Sequence, residues 1–290
     1  MSRFIREYRL LIGKPGSTGV LLTENQITFD IKKTADSSMN TATFRIFNLA
    51  PDTRQKLVTL EEEDGILELQ LGYRGDDKVR VFLGNIITVV TSSSGADIVT
   101  EIICGDGYSA YRDAKTNRNF PDNTKAGSVI LGLIQDMGLS AGVIKGNIVS
   151  HVFNNGYTTT SSGRAANEMD KLVYGFKDPT QWSVQDTVVH VLPKGESSQE
   201  TALLINEGSG LIGNPQRTGK PVGKEKGSNV SSSGVQMITL LNPEIVINRP
   251  IRLESRYITG DYICKELNHV GDYEGGTWHT NVKLESKVTE

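Results

Sequence analysis

The chain is poor in the residues on which most site chemistry rests. Its 290 residues hold two cysteines, Cys104 and Cys264, 160 positions apart and each in an alternating apolar run. That spacing excludes a disulfide framework and suits buried thiols in a reducing compartment. The four histidines, His151, His190, His269 and His279, form no H-x-x-x-H pair, and no C-x-x-C occurs, so a zinc site is not expected. No G-x-S-x-G elbow is present, and neither cysteine has a base nearby in sequence, which leaves acyl transfer without a nucleophile. No run approaches the roughly eighteen apolar residues of a membrane span. Charge of one sign is also lacking: 31 basic against 34 acidic residues give −3, so no global field draws the chain to nucleic acid or to an anionic membrane, and any contact with DNA should be passive. Arg3, Arg6, Glu7 and Arg9 stand where a signal peptide needs an unbroken apolar core, so synthesis in the cytoplasm is expected.

One motif invites a cofactor. "GSGLIG", Gly208 to Gly213, fits G-x-G-x-x-G and follows the apolar run "TALLINE". The motif works only if a helix begins there and points its free N–H groups at a pyrophosphate. Here Asn214, Pro215, Gln216, Arg217, Thr218, Gly219, Lys220 and Pro221 follow, with two prolines and no helical recurrence. A glycine-rich connection between strands is the reading that fits, and no cofactor is expected. Pro221 also stands where a phosphate-binding Gly-Lys would need Ser or Thr.

The patterning predicts a mainly β chain with an α+β insert. Residues 1–105 alternate in "YRLLIG", "ITFDIKK", "TATFRIFNL", "GILELQLGY", "KVRVFLGNIITVVTS" and "ADIVTEIICG", separated by turn clusters. That is an antiparallel sheet, plausible as a small barrel carrying one helix, "APDTRQKLVTLEEEDG", with Pro51 in its first turn and Gly65 at its stop. Its terminal acids Glu61, Glu62, Glu63 and Asp64 are expected to splay into solvent. Residues 106–195 bring two helices: "KAGSVILGLIQDM", with Thr124 as N-cap and Val129, Ile130, Leu133, Ile134 and Met137 on one face, and "SSGRAANEMDKLVYGF", capped by Ser161 or Ser162. "KGNIVSHVFN" and "WSVQDTVVHVLPKG" read as extended. Residues 196–290 return to strands, interrupted by a long polar loop over 214–234 in which Arg217, Lys220, Lys224 and Lys226 cluster without aromatic neighbours to stack bases. A solvated loop, contact with phosphate, or contact with an acidic partner protein all remain open for it.

The remaining acids, Glu61 to Asp64 and the pair Asp76 and Asp77, fall in expected turns, where carboxylates serve solvation more often than glycoside cleavage. Trp182 and Trp278 are expected to be half-buried packing rather than a carbohydrate platform.

Taken in order, "LLINEGSGLIGNPQRTG", "MITLLNPEIVINRPIRLES" and "YICKELNHVGDYEGGTWHTNVKL" resemble the closing domain of tailed-phage baseplate hub proteins, and "FRIFNLAPDTRQKL" resembles their opening domain. The shared features are Gly-Leu-Ile-Gly followed by Pro215 and Arg217, the Leu-Asn-Pro at Leu241 to Pro243, and the hairpin of Asn268 to Asp272 with Gly275 to Thr280. The resemblance implies two tail-tube-like antiparallel β-barrel domains, 1–105 and 196–290, flanking the insert. It implies a homotrimer in the virion baseplate that adapts a six-fold tail tube to a three-fold central spike and leaves a channel for DNA. Tube protein, spike protein and other baseplate proteins would be its partners, with no chemistry performed. Asn214, Pro215, Arg217, Lys220, Lys224 and Lys226 are then candidates for the partner interface. Two other classes stay in view: a tail-associated glycan hydrolase, which needs two acids facing one cleft, and a receptor-binding β module, which needs exposed aromatics.

Overall fold

A computed structural model of the chain describes residues 5–14, 16, 18–159, 163–176, 179–218 and 234–287. The first region forms β1 (Arg6–Gly13), β2 (Val20–Leu22), β3 (Ile27–Thr34), β4 (Thr41–Phe47), α1 (Pro51–Glu62), β5 (Ile66–Tyr73), β6 (Val79–Ser94) and β7 (Asp97–Gly105). Alternation does the work: in β3 Ile27, Phe29 and Ile31 are buried between half-buried polar neighbours. Pro51 opens α1, and Leu57 is its one fully buried side chain. Glu61 departs from expectation, because its Oε2 accepts the Val89 amide at 2.9 Å. Asp64 meets Arg112 at 3.0 Å.

The insert begins with α2 (Tyr108–Asp113). Three short antiparallel pairs then tie it together: β8 (Lys115–Thr116) with β14 (Gly163–Arg164), β9 (Asn119–Phe120) with β13 (Tyr157–Thr158), and β10 (Thr124–Lys125) with β12 (Val152–Phe153). Around them lie α3 (Ala126–Asp136), β11 (Ser140–Ile144), α4 (Asn147–Ser150), α5 (Ala165–Tyr174), β15 (Thr180–Gln185) and β16 (Val188–Pro193). The stripe Val129, Ile130, Leu133, Ile134 and Met137 is buried as its spacing predicts. The caps differ: Lys125, not Thr124, precedes α3, and Arg164 precedes α5, each without a side-chain cap bond. Ser161 and Ser162 lie outside the described residues. "KGNIVSHVFN" is not extended throughout, since Asn147–Ser150 form a helical turn.

The closing region supplies β17 (Leu203–Ile205), a 3-10 turn at Glu207–Ser209, β18 (Leu211–Thr218), β19 (Gly234–Leu240), β20 (Pro250–Glu254), β21 (Thr259–Asp272) and β22 (Trp278–Ser286). The family resemblance implies two antiparallel β-barrel domains flanking the insert. Among the described residues the strands instead form one thirteen-stranded sheet in the order β18-β19-β22-β21-β3-β4-β7-β6-β5-β1-β2, with β20 on β21 and β17 on β20. The seam is β21. Its first half pairs with β20 and its second half, Glu266 to Asp272, pairs with β3, the change falling at a bulge between Cys264 and Glu266. At the seam Gly271 faces Phe29, whose ring would lie 2.2 Å from any Cβ added there.

Three apolar clusters result. The first gathers Tyr8, Leu10, Phe29, Phe44, Leu57 and Phe82 with Leu241 and Trp278 from the closing region. The second lies within the insert around Ile130, Leu133, Met169, Trp182 and Val191. The third joins Met237, Ile245, Leu253, Leu267 and Leu284 to Ala35 of the opening region. Residues exchanged between the first and third clusters weld the two β regions. Both tryptophans are buried rather than half-buried.

Candidate partner interface

The edge at β18 is where the sequence placed its candidate contact residues. Asn214, Pro215 and Arg217 lie in this strand, while Lys220, Lys224 and Lys226 lie outside the described residues. Of the expected loop over 214–234, Asn214 to Thr218 belong to β18 and Gly234 opens β19, and 219–233 lie outside the described residues. The "GSGLIG" motif is distributed over the 3-10 turn and this strand, and a strand, not a helix, continues from Gly213.

Among the described residues β18 pairs with β19 alone, matching Ile212 with Ile238 and Gln216 with Gln236, and the register breaks between Ile212 and Gln216. Gly213 sits at φ +66°, in the left-handed region. Pro215 offers no N–H. A bulge plus a proline is how an outer strand is kept from indiscriminate pairing. Ile212, Ile238 and Leu240 are each about 40 % exposed, 43 %, 42 % and 39 %, and occupy the same face.

That face runs across the sheet. Cross-strand register aligns Ile212, Ile238, Asn281, Asn268, Lys32 and Thr41 in one row, and Gln216, Gln236, Lys283, Glu266 and Thr34 in the next. The two rows floor an open trough of about 750 Å3. Its side chains are mostly amides, hydroxyls and paired charges: Lys283 meets Glu266 at 2.5 Å, and further along the face Arg45 meets Glu101 at 2.7 Å and Lys32 approaches Asp30 at 3.9 Å. Such exposed pairs add little net stability, but they cancel charge locally. Asn268 Oδ1 is buried beneath the trough without a hydrogen-bond partner.

The other chemistry-bearing residues are dispersed into structural roles. His269 is buried, shares a 2.8 Å hydrogen bond with Thr280 Oγ1, and is pushed down to about 3 by burial and then by the Lys33 charge. His279 pairs with Val270 and so faces the opposite side of the sheet from His269. His190 Nδ1 accepts the Val143 amide at 3.1 Å, and burial lowers its pKa. His151 packs edge-on against Phe153 and Phe176. Cys104 and Cys264 sit in different clusters, and burial raises both thiols far above their usual range. Among the described residues no group of three or more His, Cys, Asp or Glu is arranged to hold a metal, and no helix is long and apolar enough to cross a membrane.

The sequence matches a family model described as Baseplate hub gp41 over residues 11–270. A search of curated proteins finds no match. Similar folds occur in the 43 kDa tail protein of prophage MuSo2 from Shewanella oneidensis, with 8 % identity, TM-score 0.65, and 96 % of this chain aligned to 97 % of that one. A tail protein from Neisseria meningitidis MC58 aligns with 9 % identity and TM-score 0.66, covering 96 % of both chains. The E. coli c3393 protein, a type VI secretion component described as similar to the T4 tail proteins gp27 and gp5, aligns with 8 % identity and TM-score 0.60 over 96 % of this chain and 77 % of that one. At these identities the likeness is one of fold.

Proposed function

This chain belongs to the baseplate hub gp41 family, a virion tail baseplate component, and from that premise we propose that it acts as a trimeric adapter between a six-fold tail tube and a three-fold central spike. Each chain contributes two tube-like β units, 1–105 and 196–290, around the insert at 106–195, so three copies offer six similar units. The units are joined at β3 and β21, and rings close between chains rather than within one. The observation that carries this reading is the incomplete end of the sheet: a bulged outer strand, β18, beside exposed Ile212, Ile238 and Leu240, in the region where the contact residues Asn214, Pro215 and Arg217 fall. Lys220, Lys224 and Lys226 extend the same proposed contact.

The broad face, with its amides and locally cancelled charges, lines the channel on this reading. Passing DNA would meet no surplus of cations to grip its phosphates. The protein then works by shape and catalyses nothing. The fold likeness to a protein compared with gp27 and gp5 of T4 supports the same assignment. The test is the mass of particles formed when the chain is mixed with the neighbouring tube and spike proteins. Three copies per particle are expected, together with no clearing on a peptidoglycan gel. Single-copy particles or a cleared zone would refute the proposal.

A further inference from the structure

β6 is longer than its neighbour on the β5 side. β5 pairs with it only from Val79 to Asn85, and the Ile86 amide then bonds the Gly65 carbonyl at 2.8 Å. From Thr88 to Ser94 the strand pairs with β7 alone among the described residues, and Val90 to Ser94 are all exposed. What stands on the open side is the end of α1, whose Glu61 accepts the Val89 amide. The helix itself gains nothing from that acid, since a carboxylate in the last turn opposes the macrodipole. The bond also fixes the direction of the backbone. Val89 turns its N–H away from β7, so Thr91 and Ser93, two and four residues on, turn theirs the same way. The Thr91 and Thr100 hydroxyls, directly opposite each other at 3.4 Å, show the close approach of such a pair. The sheet thus has a bare edge inside its strand order, and one of its three outward amides is held by a side chain.

Seven successive antiparallel pairings lead from β18 to β6, so these two strands run in opposite senses. A second copy set head to tail beside the first therefore brings its β18 antiparallel to this edge and continues the alternation. The faces agree as well. Val90, in register with Glu101 and through it with Arg45, is 51 % exposed on the same face as Ile212 and Ile238. Charge is complementary: β18 carries Arg217 and no acid, while the edge is bounded by Glu61 and Asp97. We propose that the free half of β6 is the edge on which β18 of a second copy docks, and that Glu61 guards it by holding the Val89 amide in the unassembled chain. The proposal rests on the reading of this chain as one that joins copies of itself. A bare edge pairs with whatever strand it meets, and a side chain already bonded to its amide makes each newcomer compete for the place.

Sedimentation of the isolated full chain over a concentration series tests the guard without tube or spike proteins. Glu61→Ala should self-associate about tenfold more tightly than wild type, because the charged acceptor that competes for the Val89 amide is gone. Glu61→Gln keeps an acceptor in place and should stay nearer to wild type. Equal association in wild type and Glu61→Ala, or a Glu61→Gln that matches Glu61→Ala, would overturn the guard. Adding Ser93→Pro to Glu61→Ala removes an outward donor without breaking the ladder to β7, and adding Ile212→Lys alters the arriving strand. Each should return association toward the wild-type value; if neither does, the docking edge is wrong. Hydrogen exchange of the dilute wild type needs no variant: Val89 should exchange several-fold more slowly than Thr91 and Ser93 after correction for intrinsic rates, and equal rates would defeat the proposal. Three-copy particles that form with tube and spike proteins while Glu61→Ala changes nothing would end the guard and leave the adapter reading standing.

Discussion

The two β regions share one sheet and differ in how their cores and outer strands are built. The opening region surrounds an aromatic core of Tyr8, Phe29, Phe44 and Phe82, lidded by Leu57 of α1. The third cluster, built mainly from the closing region, packs isoleucine, leucine, valine and methionine, with Tyr262 the one aromatic among its buried described residues, while Trp278 of the same region joins the first cluster. Aromatic rings bury the most area per residue, and edge-to-face contacts such as Phe29 against Trp278 at 5.3 Å add to it. At the outer margin the contrast repeats. The edge at β2 is three residues long, a length that invites no pairing, whereas β18 runs for eight beside three exposed aliphatic side chains. One end of the sheet stops at a short strand; the other leaves a long strand beside exposed aliphatic side chains.

Substitutions can break this comparison. Phe44→Ala in the aromatic core should cost about 3–5 kcal/mol, and Leu253→Ala in the aliphatic core about 2–5 kcal/mol toward the lower end, because the open end can relax; urea midpoints would show the order. Equal or reversed losses would remove the distinction. Gly271→Ala at the seam should cost about 1–3 kcal/mol, since its Cβ would drive Phe29 from its place, and it should weaken both regions together. Separate melting of the two regions in the wild type would instead mean that the seam does not couple them.

A pH series sharpens the contrast further. Burial, and then the Lys33 charge, hold His269 neutral in the closing region, its pKa pushed down from the ordinary 6.5 to about 3. A depressed histidine contributes stability that is present above about 6.5 and is lost as pH falls toward 3. Thermal midpoints should fall between pH 7 and 4, and His269→Gln should flatten that slope. The smallest effect on the isolated chain is expected for Ile212→Lys and Ile238→Lys, within about 0.5 kcal/mol of wild type, yet both should lower the yield of assembled particles. Removing 219–233, which spares all of β18, should act the same way.

Helices α3 and α5 were legible in the sequence because their apolar residues recur at three-to-four spacing, and α1 because Pro51 and Gly65 bracket it. β18 is not legible as a strand in the sequence, because Gly213 and Pro215, within its bulge, interrupt the alternation that marks one. The single sheet could not be read at all: alternation says that β3 and β21 are strands, but nothing in it says that they pair across more than two hundred residues. The Asp186-Thr187 turn was missed for a related reason, since hairpins of this type are usually announced by glycine. Glu61 looked like a solvated acid because its partner, the Val89 amide, comes from a distant strand. Of the candidate interface, sequence order pointed to the segment from Asn214 to Lys226, and the strand geometry of Asn214, Pro215 and Arg217 is visible only in the fold.

The central claim is that three copies of this chain join unlike symmetries through the unfinished end of the sheet. Electron images of the chain assembled with its tube and spike proteins, viewed down the tail axis, test it most directly. A three-fold ring with six similar lobes, its continuity lost in Ile238→Lys, is the predicted result. A ring of any other order, or one indifferent to that substitution, would contradict the account.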